Sequence, residues 1–139
     1  MPVSVAATLV CDEIRVEHNG KLILLGVYTP NILVPQIPFT FPILTFFQLL
    51  SSDVPGRYSV HARLRHTESG MIMAEATGLM TIMQPGTGFN VLRVESLTID
   101  RLGAFDFVIT IEGQKESVGI HSFEIALPPR QPGGGSHAG

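Results

Sequence analysis

A β-hairpin is predicted for residues 11–28, where two apolar runs flank the dipeptide Asn19-Gly20. Both residues of this dipeptide tolerate a positive φ, which a type I′ turn requires, and that turn has the twist that paired strands need. A two-residue loop then places Val16 opposite Ile23. We therefore expect the rest of the chain to be built as strands around this hairpin.

The second strand of the hairpin, residues 21–28, is apolar on both faces. A strand of this kind is normally covered on both sides, so either a crossover segment or a second subunit is expected to lie above it. The apolar segment 29–42 is the candidate crossover, because its four prolines disfavour a helix interior and a central strand. The residues that we predict to form a surface for self-association are Leu22, Leu24, Phe39, Phe41 and Phe46.

Apolar residues at alternate positions, or in short continuous runs, recur up to residue 127, and no segment keeps a 3.6-residue period over three turns. About eight such strands, separated by turn residues, predict an all-β fold, an antiparallel β-sandwich of the immunoglobulin-like or Greek-key type. Residues 1–127 are expected to form a single domain. Residues 128–139 are rich in proline and glycine, which predicts a flexible tail.

Composition narrows the class of protein. The net charge of -3 argues against a nucleic-acid partner. Cys11 is the only cysteine, so no disulfide framework exists, and we expect a buried, inert thiol in a reducing compartment. The most apolar window, residues 37–50, is too short to span a bilayer, and the first residues do not resemble a signal peptide. The chain is therefore predicted to be a soluble, cytoplasmic protein with no membrane partner.

A stripe of basic side chains is predicted on the strand at residues 57–66, which alternates strictly between apolar and polar positions. Its outward members are Arg57, His61, Arg63 and Arg65. One interpretation is a solvated strand face whose charges pair with carboxylates such as Glu75 on the neighbouring strand. The alternative is a site for an anion or an acidic partner, which the guanidinium geometry suits.

A second candidate is a pair of side chains in the last predicted hairpin, whose turn lies at Gly113-Gln114. That register places Asp106 opposite His121, where the carboxylate would raise the pKa of the histidine. A structural surface pair is the simplest interpretation. A pH-sensitive contact, or part of an acid/base or metal site that also uses His61 or His66, is the alternative.

Motifs for catalysis are missing from the sequence. It has no nucleophile elbow, no phosphate-binding loop with its lysine, and no His-Glu-x-x-His or paired Cys-x-x-Cys motif. We predict no catalytic residue, cofactor or metal, and hence a non-enzymatic protein that acts by protein–protein contact, as a homo-oligomer or a subunit of a larger assembly. The alternative is a binding module for an anionic small molecule or glycan on the face formed by Arg57, Arg63 and Arg65.

The beginning of the chain carries a series of spaced residues. It reads Cys11-Asp12-x-Ile14-Arg15-x-Glu17-x-x-Gly20-Lys21-x-x-Leu24-x-Gly26-x-Tyr28. A proline-rich apolar segment follows, and then the run Pro-Gly-Arg-Tyr-x-Val at residues 55–60. This pattern, which extends to about residue 127, resembles a family of small bacterial proteins of unknown function with an immunoglobulin-like fold. The resemblance implies the fold but no activity and no site residue.

Overall fold

The structure, a computed structural model, describes residues 3–52, 54–82, 86–114 and 119–129. Its strands are β1 (Val3–Cys11), β2 (Glu13–Val16), β3 (Leu22–Leu25), β4 (Asn31–Leu33), β5 (Phe39–Ser52), β6 (Gly56–His66), β7 (Ile72–Ile82), β8 (Gly86–Ile99), β9 (Gly103–Ile111) and β10 (Gly119–Ala126). The predicted all-β class is confirmed, and these residues include no helix long and apolar enough to cross a membrane. Of the predicted tail, residues 130–139 lie outside the described ranges.

The strands form three sheets, with the orders β1-β5-β8, β4-β10-β9-β6-β7 and β2-β3. The prediction of about eight antiparallel strands therefore needs correction, because the described residues form ten strands, and β4 runs parallel to β10. The additional strand β4 has only three residues and lies in the proline-rich segment. It occupies the edge of its sheet, where the neighbouring prolines cost no ladder hydrogen bonds.

The core lies between the two larger sheets. Phe46 of β5 stacks on Phe107 of β9, with ring centroids 4.2 Å apart and an interplanar angle of 9°. Phe46 is 0% exposed and Phe41 is 3% exposed, so their predicted place on an external surface is wrong. Side chains alternate between the two faces of a regular strand, so residues five positions apart would lie on opposite faces. Phe41 and Phe46 nevertheless both belong to the core, because the buried positions of β5 change from odd to even numbers after Pro42.

Pro42 lies within β5, so the end of the proline-rich segment is part of a strand and not of a crossover. The pairing of β5 with β1 ends at Thr45, so β5 has only β8 beside it at Pro42. The residues paired with β8 pass from Phe41 to Ile43 and skip the proline. The missing N–H of Pro42 therefore removes no bond toward β1, which is why this strand tolerates the residue.

The hairpin around Asn19-Gly20 is confirmed, but its predicted register is wrong. Glu17 N–H donates to the carbonyl of Lys21 at 2.8 Å, so the loop has three residues and ends with Gly20 at a φ of +84°. Three-residue loops of this kind place a glycine in the left-handed region at that position. Because a shift of one residue moves side chains to the other face, Val16 lies opposite Leu22 rather than Ile23.

Candidate functional site

A contiguous group of apolar side chains lies on the outer face of the three-stranded sheet. We call this group, formed by Leu9, Phe47, Leu49, Phe89 and Val91, the outer apolar patch. The strand register aligns Leu9, Phe47 and Val91 across the sheet and places Leu49 opposite Phe89. Leu9, Phe89 and Val91 are 39%, 51% and 41% exposed, and the rings of Phe47 and Phe89 stack with centroids 5.9 Å apart.

Polar residues border this patch at both ends. At one end the hairpin β2-β3 is anchored to the sheet, because Thr45 Oγ1 donates to the carbonyl of Asp12 at 3.1 Å and Arg93 lies 3.8 Å from Glu13. At the other end the hydroxyls of Ser4 and Ser51 are 3.1 Å apart. An apolar centre with a polar rim is the usual anatomy of a protein interface.

The surface predicted for self-association is a different set of residues. Leu22, Leu24 and Phe39 are half-buried, and Phe41 and Phe46 belong to the core. None of these five residues belongs to the outer apolar patch. One sequence signal for the patch was visible, since β5 is apolar at both even and odd positions. Nothing in the sequence showed that Phe89 and Val91 of β8 would lie beside the outward, odd-numbered residues Phe47 and Leu49 of β5.

The basic stripe lies on β6, as predicted, and two of its members are hydrogen-bonded to carboxylates. His61 Nε2 lies 2.8 Å from Glu75, and Arg65 Nη2 donates to Asp106 Oδ2 at 3.2 Å. Arg63 is directly opposite Glu75 in the strand register. This geometry agrees with a solvated strand face, while binding of an anion here stays a prediction.

Asp106 does not face His121. The register of β9 and β10 places Asp106 opposite Ser122, whose Oγ donates to Asp106 Oδ1 at 2.8 Å. Burial alone would raise the pKa of Asp106, but hydrogen bonds from Ser122, Arg65 and Thr67, with the charge of Arg65, hold that pKa below its usual value. This carboxylate is therefore a charged, structural link between three strands.

His121 lies opposite Phe107 and stacks on Phe123, with ring centroids 6.0 Å apart. Its burial lowers its pKa, so the predicted rise is wrong. His66, a candidate third member, is 5% exposed and its ring is already bonded to Ser69 and to the carbonyl of Leu102. Among the described residues no three His, Cys, Asp or Glu side chains are grouped as a metal site requires.

The burial of His121 predicts a pH dependence of stability. Because the pKa of His121 is lower in the folded state, the folded protein binds a proton at this site less readily than the unfolded chain does. Stability is therefore highest above the unfolded pKa of about 6.5. It falls as the pH is lowered through the folded pKa. We expect His121→Gln to lose less stability than wild type on acidification through this window, as measured by urea unfolding at several pH values. Parallel pH profiles for the two proteins would contradict the expectation.

The residues of the opening motif form a structural junction. Tyr28 Oη donates to Asp12 Oδ1 at 2.9 Å, and Tyr28 N–H donates to the carbonyl of Val10 at 2.7 Å. Burial, together with the hydrogen bond and the charge of Asp12, raises the pKa of Tyr28 to about 12. Cys11 is 0% exposed, which confirms that its thiol is buried. This burial, together with the charge of Asp12, raises the pKa of the thiol. This junction fixes the hairpin to β1.

The fold resembles parts of larger proteins at low sequence identity. The alkylpurine DNA glycosylase AlkC of Pseudomonas fluorescens, bound to DNA containing an abasic site analog, matches with 12% identity and a TM-score of 0.49 over 90% of this chain and 30% of that chain. The β-glucuronidase of Bifidobacterium dentium, complexed with coumarin-3-O-glucuronide, matches with 11% identity and a TM-score of 0.45 over 91% and 17%. The β-glucosidase of Listeria innocua, in complex with glucose, matches with 8% identity and a TM-score of 0.45 over 89% and 16%.

This chain spans less than a third of each of these three proteins, and the similarity carries no argument about function. The sequence has no significant match among curated proteins. The sequence profile described as "Family of unknown function (DUF6941)" matches residues 6–125. The expectation of a family of unknown function is thereby confirmed, and the chain belongs to the DUF6941 family.

Proposed function

We propose that this protein is not an enzyme and acts by protein–protein contact through the outer apolar patch. The observation that carries the proposal is the exposure of Leu9, Phe89 and Val91, at 39–51%, on one sheet face. Contiguous apolar patches of more than a few hundred Å² are uncommon on monomeric proteins and mark interaction sites. Removing such area from water stabilises a complex by roughly 25 cal/mol per Å².

The chemistry of the patch defines the kind of partner. Phe47 and Phe89 form a stacked aromatic pair near the centre, and aromatic anchors typically contribute most of the binding energy of an interface. Polar groups border the patch, and the Arg93 guanidinium is bonded to Glu95 on the same strand. The partner surface that fits is therefore apolar at its centre and polar at its rim.

We expect the Leu9→Glu variant to bind its partners with an affinity at least about tenfold lower than that of the wild type, because an unpaired carboxylate would have to be desolvated in the interface. The measurement is co-purification from the source organism, followed by titration of each recovered protein. Leu33→Glu is the matched control, since Leu33 is also an exposed strand leucine, at 54%, but lies on β4 of the other sheet. Equal recovery of the same proteins by the wild type, Leu9→Glu and Leu33→Glu would reject the proposal.

We also propose that the domain is an immunoglobulin-like module and that it works in the cytoplasm of a bacterium. Without β2, β3 and β4, the strand orders are β1-β5-β8 and β10-β9-β6-β7. These orders correspond to strands A-B-E and G-F-C-C′ of immunoglobulin domains, which supports the first part. A single buried cysteine and the resemblance of the opening motif support the cellular setting.

Binding of an anionic small molecule or glycan to the face of Arg57, Arg63 and Arg65 stays the alternative. It is less well supported than the contact function, because Asp106 already neutralises Arg65 and Glu75 already holds His61. An anion at this face would compete with carboxylates that are part of the fold.

A further inference from the structure

The core between the two larger sheets is sealed along one side and open along the other. On the sealed side the inward side chains of Val10, Ile32 and Ile125 are 1–3% exposed. On the other side, the inward side chains of the edge strands are only half-buried. These side chains are Ala74 and Ala76 of β7 and Leu92 and Val94 of β8.

Strands β7 and β8 are the last strands of their respective sheets, and within the described ranges no strand pairs with the outer edge of either. The two edges lie beside each other, since a Cβ placed on Gly88 would be 3.2 Å from the carbonyl of Thr81. Farther along they separate around a cavity of about 70 Å³. The cavity is lined by Val60, Ala62, Ala76, Thr77, Gly78, Asn90, Val91 and Leu92.

Most of each edge lacks the features that normally prevent strand addition. The ladder of β7 is irregular only at Met73, near its start, and the charged residues of β8, Arg93 and Glu95, lie in its second half. Proteins protect exposed edges with charged side chains, prolines, bulges or short strands. Strand β8 has 14 residues, and residues 86–92 contain no charge and no proline. Strand β7 has 11 residues, and its only charged residue is Glu75. Both edges are therefore open to pairing with another strand.

We propose that a second copy of this chain pairs with both edges at once. In this dimer β8 lies antiparallel to β8 of the other copy, and β7 lies antiparallel to β7 of the other copy. The two-fold axis runs perpendicular to the sheets and passes near Val91 and Thr77, which line the same cavity. A single extended peptide would satisfy one edge only, whereas a second copy presents the same two edges at the same spacing.

The size of the contact agrees with a stable dimer. An edge of 11 residues is about 36 Å long, and two sheets about 10 Å apart, with their side chains, form a strip about 20 Å wide. The projected contact is about 700 Å² per copy, close to the roughly 800 Å² per partner of stable interfaces. Because β8 joins β8, the outer apolar patches of the two copies would form one continuous surface, which links this dimer to the proposed contact function.

Light scattering at micromolar concentrations is expected to give twice the chain mass for the wild-type protein. The Thr77→Lys/Val91→Lys variant is expected to be monomeric, since like charges would face each other at the axis in both sheets. Both positions are exposed, so the variant should retain its fold by circular dichroism. The Leu9→Lys/Leu33→Lys variant adds the same charge away from β7 and β8 and should remain a dimer.

Crosslinking gives a second measurement of the same geometry. Val91→Cys is expected to form a disulfide dimer on mild oxidation, whereas Thr98→Cys on the same strand is not. Antiparallel pairing around residue 91 would separate the two copies of residue 98 by about 48 Å. The native Cys11 is 0% exposed and does not interfere.

A monomeric wild type, a double-lysine variant that remains dimeric, or equal crosslinking at residues 91 and 98 would each overturn the dimer. The contact function is judged separately, since Leu9→Glu tests partner binding at a residue outside β7 and β8. A monomeric wild type whose partners are lost on Leu9→Glu would remove the dimer and leave the contact function standing. A confirmed dimer whose partners still bind the Leu9→Glu variant would remove the contact function and leave the dimer standing.

Discussion

The Phe46→Ala variant is expected to have a free energy of unfolding about 3–5 kcal/mol lower than that of the wild type. Phe46 is 0% exposed, stacks on Phe107 at 4.2 Å, and has the ring of Phe123 at 6.2 Å. Alanine would remove apolar area and leave a cavity between the two sheets. Because domains of this size are stable by only about 5–15 kcal/mol, the loss should be plain in urea or guanidinium unfolding.

Phe89→Ala is the matched control for this prediction. Phe89 also lies in the three-stranded sheet, but it points outward and is 51% exposed. Truncating an exposed side chain typically changes stability by about 0.5 kcal/mol or less. Similar losses for the two variants would contradict the placement of Phe46 in the core and of Phe89 on the surface.

Phe46 also shows where the sequence ceases to be informative. Strand β5 is apolar at successive even and odd positions, so the two-residue period that separates inward from outward side chains is lost there. Strand β6 keeps a strict alternation, and its basic stripe was placed correctly on one face. The outer apolar patch could not be predicted, since it depends on which face of β5 receives the second sheet.

The registers of two hairpins show a second limit. In each, a loop one residue longer or shorter moves every side chain of one strand to the other face. The observed loop ending at Gly20 and the observed pairing of Asp106 with Ser122 both differ from the predicted registers by one residue. The strands were thus predictable from alternation, while the pair of Asp106 and His121 was not.

The Gly26→Ala variant is expected to lose about 2–4 kcal/mol of stability. Gly26 has a φ of +65°, where a side chain costs about 1–2 kcal/mol. An added Cβ would also lie 2.9 Å from Asp12 Cγ and would press on the carboxylate. That carboxylate would have to move and lose its hydrogen bond from Tyr28, at a further cost of about 1–2 kcal/mol. Chemical unfolding of purified protein measures the total.

A double-mutant cycle with Asp12→Ala separates the two contributions. In the Asp12→Ala background Gly26→Ala should cost only the left-handed backbone term, about 1–2 kcal/mol. Asp12→Ala alone should also lower the pKa of Tyr28 from about 12, which the absorbance of tyrosinate reports, because the bond and charge that help to raise it are gone. Equal losses for Gly26→Ala in both backgrounds would mean that Gly26 is required for its backbone angle alone, and that the close approach of Asp12 does not hold the junction together.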